Sequence, residues 1–109
     1  MATLNPQPIS LTGAQPTYAA ASADGDKVRP DERTWLHVRN GGAGPVTVTL
    51  DATGSVRGQT VPDLTVTVPA GEDREIGPLT ADLLAGTSDG LVAVTYSAVD
   101  SVTVAARRI

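Results

Sequence analysis

Residues 34–50 read TWLHVRNGGAGPVTVTL, and this stretch indicates the class of fold. In its first half Leu36 and Val38 alternate with more polar side chains, which is the two-residue period of a half-buried strand. In its second half Val46, Val48 and Leu50 alternate with threonines in the same way. Asn40-Gly41-Gly42 is a turn signal between the two halves, so the stretch predicts a β-hairpin.

The same alternation extends toward the C-terminus. It predicts strands at residues 64–68, 91–98 and 102–107, and a short polar edge strand at residues 72–76. The inward faces are Leu64, Val66 and Val68 in the first of these strands and Val92, Val94 and Tyr96 in the second. Asp100-Ser101 predicts a tight reversal that joins the last two strands as a second hairpin. Thr80 to Leu84 predicts a turn or a single helical loop, because Gly86 follows before a second helical turn can form.

The first 33 residues have a different character. Four prolines interrupt them, and they predict two short strands, near residues 9–12 and 17–20, followed by a long polar loop. We therefore divide the single domain into an N-terminal arm or loop segment, residues 1–33, packed on the domain or on a neighbour, and a core, residues 34–109. Seven or eight short strands separated by turn signals predict an all-β, antiparallel β-sandwich of immunoglobulin-like or jelly-roll-like type.

The composition agrees with a β-rich chain that has a core of small residues. The 109 residues include 15 Ala, 14 Thr and 13 Val, but one Trp, two Tyr and no Phe. Val, Leu, Ile and Ala must therefore fill the interior, which leaves a marginal fold that a partner would stabilise. Because the chain has no cysteine, disulfides, zinc–thiolate sites and thiol nucleophiles are excluded.

Charge and hydropathy argue against nucleic acid and membrane as partners. The net charge is −4, with 12 acidic and 8 basic residues, and the basic residues form no stripe. No apolar run approaches the ~20 residues that span a bilayer. Residues 1–13 lack the pattern of a secretory signal, so we expect synthesis and folding in the cytosol.

No catalytic, cofactor-binding or metal-binding residues are predicted. His37 is the only histidine and has no partner at a recognisable motif spacing, so we expect an exposed strand residue. Asp24-Gly25-Asp26 lacks the pattern of a calcium loop, and we expect a solvated loop. Residues 41–44 are glycine-rich but precede a strand, whereas a phosphate-binding loop opens a helix.

The face that carries Trp35 is the candidate partner contact. If Leu36 and Val38 face the core, Trp35, His37 and Arg39 lie together on the other face, and Trp and Arg are enriched at interface hot spots. The alternative is that the N-terminal segment folds over this face and buries Trp35 within its own domain. The sequence leaves both possibilities open.

The order and spacing of these segments resemble a known group of proteins. The segments are residues 34–40, 46–49, 66–71, 76–79, 92–97 and 102–105. Over residues 34 to 107 their succession is similar to the small β-sandwich virion proteins of tailed bacteriophages, of the head decoration type.

The resemblance implies a structural role and no enzymatic one. Such a protein docks on the outer surface of the icosahedral head, bridges neighbouring major capsid subunits and stabilises the expanded lattice against the pressure of packaged DNA. It implies self-association, with trimers as one form, and a location on the capsid exterior after synthesis in the host cytoplasm. The alternative is an immunoglobulin-like adhesion or receptor-binding module of a tail or fibre, with Trp35, Tyr18, Tyr96, Asn40 and Gln59 as candidate glycan contacts.

Overall fold

The computed structural model describes residues 2–52, 55–56, 59–60, 63–80 and 90–109. This part of the chain contains twelve strands and no helix. The strands are β1 (Ala2–Leu4), β2 (Gln7–Pro8), β3 (Ala19–Ala20), β4 (Asp26–Val28), β5 (Thr34–Asn40), β6 (Val46–Leu50), β7 (Ser55–Val56), β8 (Gln59–Thr60), β9 (Leu64–Val68), β10 (Asp73–Ile76), β11 (Val92–Tyr96) and β12 (Val102–Arg108).

Ten of the strands form two five-stranded sheets that stack as a β-sandwich. Sheet I has the order β1-β4-β11-β6-β9, and sheet II has the order β10-β5-β12-β2, with β3 also paired to β12. β7 and β8 form a separate two-stranded hairpin. The all-β sandwich is therefore confirmed, with more strands than the seven or eight expected. The sheets are mixed, because β1 and β2 pair in parallel with β4 and β12.

Both predicted hairpins are wrong. β5 lies in sheet II and β6 in sheet I, and β11 and β12 are likewise split between the sheets. The Gly-rich connection after Asn40 and the reversal at Asp100-Ser101 therefore carry the chain from one sheet to the other. Alternation shows which face of a strand is buried, but it does not say which strand lies alongside.

The core lies between the sheets and is built from small residues, as expected. The largest side chains that are fully buried are three leucines, Leu36, Leu50 and Leu79, together with eight valines. The inward faces predicted for β5, β6 and β11 are confirmed. In β9 the prediction fails at Leu64, which is 40% exposed, because β9 is the edge of sheet I and Leu64 begins it.

The N-terminal residues contribute strands to both sheets. β1 and β4 belong to sheet I, while β2 and β3 share the edge of β12 that β5 leaves free. The strand expected at residues 9–12 is instead a turn, in which the Gly13 amide donates to the Ser10 carbonyl oxygen at 3.1 Å. The strand expected at residues 17–20 is limited to β3. The division at residue 33 stays a prediction, and the expected turn at Thr80 to Leu84 lies, beyond Thr80, outside the described residues.

The solvated loop expected at Asp24 to Asp26 contains a buried carboxylate. Asp26 is 0% exposed and begins β4. Its carboxylate accepts hydrogen bonds from the Ser22 hydroxyl at 2.8 Å and from the Tyr96 hydroxyl at 2.8 Å. Tyr96 is 70 positions away along the chain, so the sequence around Asp26 carries no sign of this contact. Burial, and then the bond to Asp26, raise the pKa of the Tyr96 hydroxyl.

Two glycines with the same backbone conformation provide a test of the packing between β4 and β11. Gly25 and Gly13 have φ of +94° and +95°. A methyl group on Gly25 would lie 2.6 Å from the Val94 carbonyl oxygen, whereas one on Gly13 would meet nothing within 4 Å. Both Gly→Ala variants strain the backbone by about 1–2 kcal/mol. We expect Gly25→Ala to lower the free energy of unfolding by about 1–3 kcal/mol more than Gly13→Ala, measured by urea denaturation. Equal losses would contradict the close packing.

Candidate functional site

The outer face of sheet II carries all three candidate contact residues. Leu36 and Val38 of β5 are fully buried, so Trp35, His37 and Arg39 point away from the core. In the register with β12 they lie opposite Arg107, Ala105 and Thr103, respectively. On the other side of β5, His37 and Arg39 lie opposite Glu75 and Asp73 of β10. The two long central strands therefore set the positions of the outer side chains.

His37 lies in the middle of this face between two hydrogen-bond partners. Its Nδ1 is 2.6 Å from the Tyr18 hydroxyl, and its Nε2 is 2.7 Å from Asp73 Oδ2. A neutral His37 satisfies both contacts when Nε2 donates to Asp73 and the Tyr18 hydroxyl donates to Nδ1. The side chain is only 16% exposed, unlike the exposed residue expected. The partners are 19 and 36 positions away, which is why no motif spacing reveals them.

Tyr18 closes the middle of the outer face. Its ring packs edge-on against His37 with the ring centroids 5.5 Å apart, and the Arg39 guanidinium lies 4.9 Å from the centroid of the Tyr18 ring. Ala105, beside His37 in register, is 1% exposed although it points outward. The N-terminal segment thus covers His37, and Arg39 packs on that cover.

Trp35 lies apart from this cluster, at the open end of the face. Its indole Nε1 donates to Glu75 Oε1 at 3.1 Å. It lines a pocket of about 420 Å³ together with Glu32, Arg33, Thr34, Glu75, Gly77, Pro78 and Ile109. A methyl group on Gly77 would lie 2.6 Å from the Trp35 Cβ, so the segment that follows β10 needs glycine there to pass the backbone of Trp35. Trp35 is partly buried and forms a wall of the pocket.

Two exposed apolar side chains lie at this end. The Ile9 amide donates to the Arg108 carbonyl oxygen at 3.1 Å, which places Ile9 at the same end as Ile109. Ile9 is 49% exposed and Ile109 is 66% exposed. Leu11, in the turn that follows Ile9, is fully exposed. Of the four exposed large apolar side chains among the described residues, Ile9 and Ile109 are therefore the two at the Trp35 end, and the fourth, Leu64, is on the edge of sheet I.

Arg107 is the residue of this surface that sequence reasoning missed. Arg107 is on β12, where it lies directly opposite Trp35 of β5 on one side and directly opposite Gln7 of β2 on the other. Only 9% of Arg107 is exposed, and its Nε is buried without a hydrogen-bond partner. An arginine at an outward position of the last strand was the signal available, but only the register shows that it borders Trp35.

The other motifs are used inside the fold. The amides of Gly41 and Gly42 donate to the Ser101 carbonyl oxygen and to Asn40 Oδ1, so they are not directed at a ligand. Of the candidate glycan contacts, Tyr96 donates to Asp26 and Asn40 is 2% exposed; the side chain of Gln59 lies outside the described residues. In the described ranges no three His, Asp or Glu side chains are grouped to hold a metal ion.

The bond to His37 lowers the pKa of the Asp73 carboxyl below its ordinary value of 3.8. A carboxyl with a lower pKa in the folded state stabilises the fold above its unfolded pKa, and this stabilisation is lost as the pH falls through the folded pKa. We expect Asp73→Asn to lose less stability than the unmodified chain between about pH 5 and pH 2, measured by urea denaturation across that range. Asp100→Asn is the control, since Asp100 accepts no side-chain hydrogen bond from the described residues. Identical acid profiles for Asp73→Asn and the unmodified chain would contradict the assignment.

Comparisons with protein-family models, curated proteins and solved structures find no match to this chain. No helix among the described residues is both long and apolar enough to cross a membrane. What the chain binds must therefore be inferred from its own surface. The open end of sheet II, with Trp35, the pocket and Arg107, is the strongest candidate for a binding surface in the described structure.

Proposed function

We propose that this chain is a capsid decoration protein of a tailed bacteriophage. In this proposal it docks on the outer surface of the icosahedral head through the open end of sheet II and bridges major capsid subunits. The observation that carries the proposal is Trp35, held beside an apolar pocket and opposite Arg107. Trp and Arg carry a disproportionate share of binding energy at protein interfaces. The role is structural and needs no chemical step.

The docking surface is rigid before any partner arrives. Trp35 is fixed by the bond to Glu75, by the close passage of Gly77 and by the register of β5 with β12. A side chain that is already ordered loses little conformational entropy on binding, so more of the contact energy appears as affinity. A sandwich with a stiff outer residue suits a protein that works by holding its partners in place.

Stabilisation of a capsid requires preference for one state of the lattice. If the chain binds only the expanded lattice, binding lowers the free energy of the expanded state by mass action. The expanded lattice then converts less readily to other states. The net charge of −4 fits a position on the capsid exterior, away from the packaged DNA. The chain would be made in the host cytoplasm, with the major capsid protein as its partner and without contact to nucleic acid or membrane.

A second candidate is an adhesion module of a tail or fibre that binds cell-surface glycan. The observation that favours it is the pocket itself, where Glu32 and Glu75 accompany an indole. Carboxylates and aromatic rings are groups that orient sugars. Copy number in purified virions separates the candidates, because hundreds of copies indicate the head and a few indicate the tail.

We expect Trp35→Ala to weaken binding to capsids by about tenfold or more. The measurement mixes the purified chain with undecorated heads assembled from the major capsid protein of the same genome, followed by sedimentation and electron microscopy of the particles. Thr65→Ala, an exposed position on sheet I, is the matched control, and circular dichroism checks that both variants fold. Decoration unaffected by Trp35→Ala, or no external density on the heads, would rule the proposal out.

Self-association is part of the proposal, with the N-terminal segment as the element that reaches a neighbour and trimers as one form. Leu11 is the residue to change, because it is fully exposed and its loss should alter stability by no more than about 0.5 kcal/mol. We expect Leu11→Ser to reduce association in sedimentation velocity runs. Leu64→Ser, on the edge of sheet I, should leave it unchanged. If both variants associate like the unmodified chain, the segment is not the contact.

A further inference from the structure

We propose that Arg107 is an anion-binding group of the docking surface and that the partner presents a carboxylate to it. The inference deepens the proposed function and rests on the same surface. It starts from the state of Arg107, whose guanidinium has no ion pair with any residue that the structure describes. Burying an arginine to 9% exposure without a counter-ion is costly. A partner carboxylate would remove that cost.

The neighbours of Arg107 cannot supply the missing acceptor. Trp35 has only a donor, and that donor is directed at Glu75. The amide of Gln7, on the other side, is held by Thr17: its Nε2 donates to the Thr17 carbonyl oxygen at 2.9 Å, and its Oε1 accepts from the Thr17 amide at 2.8 Å. Both flanking side chains are therefore fixed by other contacts, and the Nε of Arg107 lies between them without a hydrogen-bond partner from the described residues.

Arg108 does not share this situation, although its Nε is also buried without a partner. Its side chain is 41% exposed, and its Nη2 lies 3.8 Å from Asp31 Oδ2. Asp31 is thus within ion-pair distance of Arg108. Arg107 is the one of the two with a charge left to satisfy.

The surroundings favour a carboxylate over a nucleic-acid phosphate. Glu32 and Glu75 line the pocket next to Trp35, and they would repel a chain of phosphates more than a single carboxylate. The pocket also offers apolar contacts from Trp35, Pro78 and Ile109. The surface therefore fits a protein segment in which an Asp or Glu is next to an apolar residue, with the carboxylate paired to the guanidinium and the apolar side chain in the pocket.

A pair of peptides tests this without any capsid. The probes are acetyl-Gly-Leu-Glu-Leu-Gly-amide and the same peptide with Gln in place of Glu, added to uniformly ¹⁵N-labelled chain. We expect the Glu peptide to shift the Arg107 Nε–H and Trp35 Nε1–H resonances saturably, with at least about tenfold higher affinity than the Gln peptide, because a hydrogen bond to a charged group is worth more than a neutral one. Equal affinities, or no saturable shift at either resonance, would overturn the inference.

Three variants and one inorganic probe complete the design. Arg107→Gln should abolish the preference for the Glu peptide, while Arg74→Gln should keep it, because Arg74 is on the exposed edge strand and pairs with Glu72 at 3.1 Å. Arg107→Lys keeps the charge without the planar fork, and should keep only part of the preference. Sodium phosphate alone should not displace the Glu peptide at equal concentration; displacement would show a phosphate site and contradict the proposal.

The peptide result and the capsid result can fail separately. Loss of head binding in Trp35→Ala with no Glu preference in the titration would keep the docking surface and reject the carboxylate. A Glu preference without head binding would keep Arg107 as an anion site and reject the capsid as the partner. The titration of the unmodified chain needs no variant to fold, so it decides the inference in either case.

Discussion

The antiparallel pairing of β5 with β12 is the interaction on which the rest of the structure depends. The two strands stay in register over seven residue pairs, from Thr34 opposite Arg108 to Asn40 opposite Val102. Their inward side chains form the sheet II half of the core. The same register fixes the outer face, because it places Arg107 opposite Trp35 and Ala105 opposite His37. A slip by one residue would exchange the two faces, so core packing and the candidate site are specified together.

The local pattern of the sequence was enough to predict the class of fold but not the pairing of strands. Alternation in residues 34–50 showed which side chains are buried, since burial follows the pleat of each strand separately. The glycine-rich segment after Asn40 is equally compatible with a hairpin and with a crossing between sheets. The contacts of Asn40 favour a crossing from sheet II to sheet I. Its buried side-chain amide donates to the carbonyl oxygens of Gly44 and Val68, and so it links the connection to the end of β9 in sheet I. Such contacts across 28 positions leave no local signal.

The candidate site was predictable to the same extent. Periodicity placed Trp35, His37 and Arg39 on one outer face, which the structure contains. It could not show that Tyr18 packs over His37, because that contact joins the proline-rich N-terminal segment to the middle of sheet II. Nor could it show that Arg107 borders Trp35, since neither residue is unusual within its own strand. Of the two possibilities left open for Trp35, the N-terminal segment covers His37 instead and leaves the pocket beside Trp35 open, while a contact of Trp35 with a partner stays a prediction.

The outer face of sheet II has a covered middle and an open end. The polar side chains in these two parts differ in whether their hydrogen-bonding groups have partners. In the middle, the Tyr18 hydroxyl, both nitrogens of His37 and Oδ2 of Asp73 are hydrogen-bonded in one chain, so a partner would gain little by replacing these bonds. At the open end the Trp35 indole is satisfied by Glu75, but the buried Nε of Arg107 has no hydrogen-bond partner among the described residues. In a fold with a core of valine and leucine and little energy to spare, an uncompensated buried charge is tolerated most readily where binding compensates it. Arg107 and the exposed side chains of Ile9 and Ile109 lie at the same end, as expected if one partner covers them together.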